Sequence, residues 1–564
     1  MLGHVRLRSL FSAPAPAPDP DSTPVWRLTL PATVDQLVVV ASLFWALTVN
    51  RRFLAEALQG RAYAAWDTWG FATALVVILV AVHVLLLAPV ANRWTVKPLL
   101  AVLTVAAALA SHYMQAFGVY LDPGMVRNVL RTNAAEGLEL LSWTLVPHLL
   151  VYAGLPLLLL WRVRVVRHAL VRSALVRVVT LLVAAAAAVG ALLAIYQPLA
   201  SLIRNHKEVR YLVTPANLLW ALGSVVHADT RGAVRPRQPI GLDATPGERM
   251  QRRQRPLVVV MVVGETARTA NWGLSGYARQ TTPRLAELGV INFAEVTACG
   301  TNTEVSLPCM FAPVGRRRYD EATIGGSESL LHVAARAGVG VHWLDNQLGC
   351  KGVCDGLPSE TIHSRSSPGL CENGRCLDEA LLQGLDARLS QARGTQLWVL
   401  HPLGNHGPSY FRRYPAAFAR FQPECRHDDL RQCSVEEIVN AYDNALLYTD
   451  HVLAGLIAKL RARENDLDAV LLYVSDHGES LGEKGMFLHG VPYPIAPSEQ
   501  TRVPMVMWAT PGAAAAVGVS WDCLRRRAAE PARHDHLFHT LLGVLDVRTS
   551  VYEAAWDLTR ACRR

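Results

Sequence analysis

No cysteine occurs in the first 298 residues of this 564-residue chain, and its first 200 residues carry little charge outside short arginine clusters. The first absence excludes a disulfide framework or a thiolate metal site from that half. The second excludes a solvated globular surface there, since charged residues dominate the exterior of a soluble domain. Also missing is an apolar stretch with a cleavage site at signal-peptide distance. The N-terminus instead holds Ala13-Pro14-Ala15-Pro16-Ala17-Pro18-Asp19-Pro20, which cannot be helical; residues 1–30 read as a disordered cytoplasmic tail that the chain keeps.

What the first part does have is apolar length. Five stretches, about 33–50, 70–91, 98–118, 144–162 and 176–196, approach the roughly 20 residues needed to cross a bilayer. Between the last two lie Arg162, Arg164, Arg167, Arg172 and Arg177, the densest basic cluster beside any span. Cytoplasmic loops retain such charge, so this loop and the N-terminus are expected inside, and everything after residue 196 outside. Arg93 and Lys97 agree with that orientation, whereas Arg51, Arg52 and Arg61 fall on the other side. The same clusters account for the net charge of +9 without invoking nucleic acid.

Residues 31–197 therefore read as a transmembrane domain. In its external segment 119–140, Asn128, Thr132 and Glu136 recur at helical spacing and would share one face. That face is either a polar strip for a lipid headgroup or an ordinary solvated surface. Residues 198–255 read as an amphipathic interfacial bridge followed by an exposed, arginine- and proline-rich linker. A soluble domain, 256–564, is expected to begin at Pro256.

Within it, Leu257–Val263 is a continuous apolar run, as in a strand covered on both faces of a parallel sheet. It ends in Gly264-Glu265-Thr266. Runs at 340–343, 397–400 and 470–474 end in Asp345-Asn346, in His401 leading to Asn405-His406, and in Ser475-Asp476-His477. Helical patterns lie between, so an alternating α/β domain is expected, with its site beyond the carboxyl ends of the strands. Glu265, Asp476, His477 and His406 would meet there. Oxygen and imidazole ligands without thiolate suit zinc, with manganese the competitor.

The ten cysteines fall mostly in close pairs: Cys299/Cys309, Cys350/Cys354, Cys371/Cys376 and Cys425/Cys433. In an exported domain such spacing suggests local disulfides, with a zinc ribbon as the rival. Cys523 and Cys562 stand apart, as a fifth bridge or two free thiols. The first pair encloses Gly300-Thr301-Asn302-Thr303-Glu304. A bridge across so short a loop removes roughly 2–3 kcal/mol of unfolded-state entropy and fixes the loop. A threonine held there could serve as nucleophile if a base or metal lowers its pKa.

Taken together, Gly264-Glu265-Thr266-Ala267-Arg268, the Cys299–Cys309 loop, Asn405-His406-Gly407-Pro408, Asn440-Ala441-Tyr442-Asp443-Asn444 and Ser475–Glu483 resemble the phosphoethanolamine transferases that modify lipid A. That family includes the mobile colistin-resistance enzymes and belongs to the alkaline phosphatase/sulfatase superfamily. The resemblance implies a five-helix transmembrane domain followed by an α/β/α sulfatase-like catalytic domain in the periplasm of a Gram-negative bacterium, anchored in the inner membrane. It implies Glu265, Asp476 and His477 as zinc ligands, joined by the nucleophile Thr303 rather than Thr301. His406 and His489 match positions lining the phosphoryl site and a second, weaker metal. Gln347 and Lys351 match headgroup-side positions, and Asn128, Thr132 and Glu136 match the lipid-substrate strip.

Two departures stand out. Glu304 follows the nucleophile where the family has a small residue, and Arg316-Arg317-Arg318 is unusually basic.

The implied reaction takes phosphoethanolamine from phosphatidylethanolamine through a covalent enzyme intermediate to lipid A, lowers surface negative charge and confers polymyxin resistance. The enzyme is expected to act as a monomer. Alternatives are transfer of phosphoethanolamine or phosphoglycerol to another glycan or to the lipopolysaccharide core, a sulfatase-like phosphohydrolase, and a membrane-anchored metal sensor without turnover.

Overall fold

The computed structural model describes residues 30–132, 137–138, 140–233, 237–347, 349–362, 367, 369–372 and 375–563. The expected tail lies outside them, apart from Leu30, as does Glu136.

After the short strand Leu30–Ala32 comes a bent helix pair, α1 (Val34–Leu47) and α2 (Arg51–Ala57), meeting at 55°. Then come α3 (Trp66–Leu87), α4 (Val96–Phe117), the short α5 (Pro123–Arg131), α6 (Leu145–Arg162) and α7 (Leu170–Ala194). Four of these (α3, α4, α6 and α7) are long and apolar enough to cross a bilayer, and the bent pair makes a fifth candidate. The expected first span is thus broken near its end. Asn50 is fully buried at the break, and its side-chain amide donates to the carbonyls of Trp45 and Thr214 at 2.9 and 2.6 Å. A polar side chain serves backbone groups there that the helix no longer serves.

Leu150, Leu155, Leu170, Leu182 and Leu193 are each more than half exposed on α6 and α7, a surface that needs lipid rather than water. Trp66, Trp94, Trp143 and Trp161 stand exposed at helix ends, where aromatic rings sit at membrane interfaces. Leu30–Ala32 pairs with Val163–Val165, and Arg177 pairs with Asp35 at 3.0 Å, so the N-terminal end of α1 and the arginine-rich loop share one side. The arginines that disagreed with the orientation have local partners: Arg52 pairs with Glu56 at 2.8 Å, and Arg61 lies 3.9 Å from the Phe71 ring centre.

After α7 come α8 (Tyr196–Asn205) and α9 (Ala216–Ala233), the latter exposing Leu219, Trp220, Leu222 and Val226. The linker expected up to residue 255 is not free over its second half. Thr245–Pro246 pairs with Val547–Arg548, Arg249 pairs with Asp546 at 2.9 Å, and Asp243 accepts from the Thr549 hydroxyl at 2.8 Å. Its arginines and prolines read as solvated because their partners lie between 142 and 307 residues away in the chain.

The C-terminal domain is built on a seven-stranded sheet: β1 (Leu257–Gly264), β2 (Ile291–Phe293), β3 (Gly340–Asp345), β4 (Ser359–Thr361), β5 (Thr395–His401), β6 (Asp468–Ser475) and β7 (Met505–Ala509). The order is β2-β7-β6-β1-β5-β3-β4, parallel from β6 through β4, with β7 and β2 antiparallel at one edge. Central β1 is buried throughout, with Leu257, Val259, Met261 and Val263 in one core and Val258, Val260 and Val262 in the other. The helices α10 (Thr303–Met310), α11 (Leu330–Arg336) and α13 (Asp535–Leu545) cover the first face, and α12 (Val435–Arg461) the second. The result is the expected α/β/α arrangement.

Candidate active site

Gly264 stands opposite Ser475 in the parallel register of β1 and β6. Glu265 and Asp476-His477 therefore leave the sheet at the same edge, and the Asp476 N–H donates to the Gly264 carbonyl at 2.8 Å. One ligand atom from each of Glu265, Asp476 and His477 lies within 4.8 Å of the others, and all three residues are buried. Thr266 holds the turn at a φ of 61°, costly for a β-branched residue. Its N–H donates to Asp476 Oδ1 at 3.2 Å, its hydroxyl to Glu265 Oε1 at 2.7 Å, and its carbonyl accepts from the Tyr442 hydroxyl at 2.8 Å.

The donor set fits a divalent cation. His477 Nδ1 lies 2.9 Å from the Gly478 carbonyl, which can only accept, so Nδ1 carries the proton and Nε2 is left to bind. Asp476 Oδ2 is buried without a hydrogen-bond partner among the described residues. Burial, followed by the Glu265 charge, pushes the Asp476 carboxyl up to about 6. Burial opposes charge on His477 too, but Asp476 and Glu265 prevail and lift it to about 9, so a metal bound at Nε2 displaces a proton held there. Two buried carboxylates this close require a positive charge between them.

The Cys299–Cys309 disulfide closes the neighbouring loop. Asn302 caps α10, its side chain accepting from the Val305 N–H at 3.0 Å, so Thr303 is the first residue of the helix. Thr303 Oγ1 lies 3.1 and 3.3 Å from the two Glu265 oxygens and 3.4 Å from His477 Nε2. Thr301 points elsewhere, donating to the Val491 carbonyl at 2.8 Å.

The other expected residues divide. His406 Nδ1 is 3.1 Å from Glu265 Oε1, the His489 ring centre is 4.3 Å from that of His477, and His489 Nδ1 meets Glu479 Oε2 at 3.0 Å. Lys351, at a φ of 47° inside the Cys350–Cys354 ring, reaches Glu304 at 2.7 Å. Gln347 Nε2 is buried without a hydrogen-bond partner among the described residues. Asn128 lies on α5, but the helix stops at Arg131. Thr132 is its extended C-cap, with the hydroxyl turned back onto the Asn128 carbonyl at 2.9 Å. Thr132 therefore lies just past the helical turn that carries Asn128, and Glu136 lies outside the described residues.

A sulfatase family profile matches residues 258–547, and a profile described as phosphoethanolamine transferase EptA/EptB matches residues 79–230. The chain is 35% identical to the phosphoethanolamine transferase EptA of Escherichia coli K12 over 538 residues, covering 93% of this chain and 96% of that protein. It is also 35% identical to the phosphatidylethanolamine transferase Mcr-1 of Escherichia coli, over 91% of this chain and 96% of the relative. The solved integral membrane lipooligosaccharide phosphoethanolamine transferase A of Neisseria meningitidis superposes with a TM-score of 0.90 at 37% identity, over 95% of this chain and all of that one. The chain belongs to the phosphoethanolamine transferases.

In this transferase all ten cysteines are paired, as Cys299–Cys309, Cys350–Cys354, Cys371–Cys376, Cys425–Cys433 and Cys523–Cys562. The zinc-ribbon alternative is thereby overturned. The basic run is absorbed by the fold: Arg316 lies 3.7 Å from the Tyr493 ring centre, and Arg317 and Arg318 both pair with Glu553.

Sequence reading assigned no role to the groups that brace the site. Arg268 takes its N–H to the Tyr442 hydroxyl at 3.0 Å and its guanidinium to Glu483 at 2.7 Å. Asn271 bridges to Asp443 at 2.6 Å, and Asn405 donates to the Tyr442 carbonyl at 3.1 Å. Asp345 accepts from Trp343 and from the Gln347 and Gly349 N–H groups and pairs with His401 at 2.8 Å. The motif on α12 is thus a brace against the back of the site. Its density of buried polar residues was the available signal.

Proposed function

We propose that this enzyme transfers phosphoethanolamine from phosphatidylethanolamine to lipid A at the periplasmic face of the inner membrane, using Thr303 as the covalent carrier. The observation that carries the reading is the Thr303 hydroxyl, first in α10 and 3.1 Å from Glu265. The named chemistry of the relatives supports donor and acceptor: phosphatidylethanolamine in one name, lipooligosaccharide in another.

Glu265, Asp476, His477 and Thr303 would hold a divalent cation, best zinc for this oxygen and imidazole set. Such a cation supplies a lower hydroxyl pKa and neutralises charge on a phosphoryl oxygen. Thr303 Oγ1 attacks phosphorus. Its bond to phosphorus forms as the bond to the diacylglycerol oxygen breaks, and diacylglycerol leaves with a proton. A phosphoethanolamine ester on Thr303 remains.

An oxygen of a lipid A phosphate or sugar then attacks the same phosphorus and gives up its proton, and Thr303 regains its hydroxyl. His489, with Nδ1 engaged by Glu479, keeps Nε2 for proton exchange with the leaving and entering oxygens. The N-terminus of α10 favours negative charge at the same place. Lys351 and Gln347 line the headgroup side. Asn128, on α5, is the described member of the expected strip best placed on a helical face to meet a lipid headgroup. Transfer of a group bearing an ammonium onto a lipid A phosphate lowers surface negative charge and weakens polymyxin binding.

The test is the mass spectrum of lipid A from cells expressing the chain or its Thr303→Ala variant. A gain of roughly 123 Da, the formula mass of the added group, seen only with the intact threonine is expected. An unmodified lipid A with phosphoethanolamine on core sugars would move the acceptor. Free phosphoethanolamine as the product would replace transfer by hydrolysis.

A further inference from the structure

Glu304, the residue after Thr303, is where the chain departs from the small residue its resemblance predicts. Its side chain is 2% exposed, yet it is a carboxylate beside the reacting hydroxyl. Oε2 accepts a hydrogen bond from Arg131 Nη1 at 2.7 Å, whereas Oε1 has Lys351 Nζ 2.7 Å away as an ion pair and no hydrogen-bond partner among the described residues. Arg131 is the last residue of α5, and Lys351 is held in the Cys350–Cys354 ring, so two separate elements converge on this carboxylate of α10.

A buried carboxylate is stable only while its oxygens are occupied. Phosphate arriving at Thr303 competes for Lys351, the cation on the headgroup side. Each move of Lys351 toward phosphate uncovers Glu304 Oε1. The headgroup of phosphatidylethanolamine carries its own replacement, a primary ammonium two carbons from the phosphate oxygen. A zwitterion can insert into the Lys351–Glu304 pair, giving phosphate to the lysine and ammonium to the glutamate, and no buried charge loses its partner. A headgroup ending in hydroxyls offers only neutral hydrogen bonds, about half as strong as charge-assisted ones.

Resting on the reading of Thr303 as carrier, we infer that Glu304 is the donor-selecting residue of this enzyme, receiving the ammonium of the headgroup as phosphate draws Lys351 away.

The test uses the full-length, metal-loaded enzyme in detergent micelles without acceptor, with phosphatidylethanolamine or phosphatidylglycerol as donor. Formation of the covalent adduct is followed by intact mass. The wild type is expected to react with phosphatidylethanolamine at least about tenfold faster, and Glu304→Gln to bring the two donors within about threefold, mainly by raising KM for phosphatidylethanolamine. Singly N-methylated phosphatidylethanolamine, which keeps its charge, should behave like the natural donor. Arg131→Gln should scale both donors equally, and unchanged zinc content and melting temperature should show that Glu304→Gln is folded. An adduct whose donor ratio is untouched by Glu304→Gln overturns this inference alone and leaves Glu304 as a tie to α5. No adduct from either donor in the wild type overturns the carrier reading and this inference with it.

Discussion

Thr144, the residue ahead of α6, donates its hydroxyl to Asp429 Oδ2 at 3.0 Å across 285 residues of chain. With the Arg127–Glu321 and Arg131–Glu304 pairs, it helps fasten the membrane helices to the catalytic domain. Burial would raise the Asp429 carboxyl, but Arg431, 2.9 Å away, outweighs it and holds the pKa at about 2.

A carboxylate with a depressed folded pKa stabilises fully above its unfolded value of about 4 and loses that contribution as pH falls toward the folded one. Melting curves of the wild type and Asp429→Asn should therefore differ by a constant amount from neutral pH to about pH 5 and converge below about pH 4. A gap still complete near pH 3 would contradict the pairing.

Gly404 has a φ of +54°, and a Cβ there would stand 2.7 Å from the Glu265 carbonyl oxygen. Gly404→Ala meets both a left-handed backbone and a steric clash, at a cost of about 1–3 kcal/mol or more. Urea unfolding should show that loss, and zinc titration should show weaker binding because Glu265 must shift. An unaltered zinc affinity would mean that the strand end relaxes without moving its ligand.

Asp476→Asn separates metal affinity from stability. It removes one of two buried carboxylates, so the chelated protein should be as stable as chelated wild type or more so, by about 1 kcal/mol. Zinc should raise the wild-type melting temperature, worth about 2.7 kcal/mol at one hundred times its dissociation constant, and raise that of the variant far less. Calorimetry of both proteins with and without chelator checks both halves.

Cys523 and Cys562 close a loop of 39 residues at the C-terminus. Replacing both with serine should cost about 3–4 kcal/mol in denaturant unfolding by the loop-entropy estimate. Transfer activity below the new transition should be retained, since the bridge joins helix 521–527 to the chain end and touches no site residue. An equal loss of activity at temperatures where the variant is folded would place the C-terminus in the mechanism.

Much of this molecule was legible because the deciding forces are local. Twenty apolar residues have nowhere to go but a bilayer, and arginines beside them mark a side. An apolar run ending in Gly264-Glu265, and another in Ser475-Asp476-His477, place polar groups at a sheet edge whichever neighbours the strands take.

Other features depended on contacts between distant parts of the chain. The break at Asn50 depends on a carbonyl at Thr214, and the packing of residues 238–255 on acids near 546. That Thr303 and not Thr301 faces Glu265 follows from how the bridged loop docks, since Val491 claims the other hydroxyl. Glu304 read as an anomaly until Arg131 and Lys351, 173 residues before it and 47 after, were brought to its two oxygens. A buried charge is decided by its partners, and only the tertiary fold chooses those.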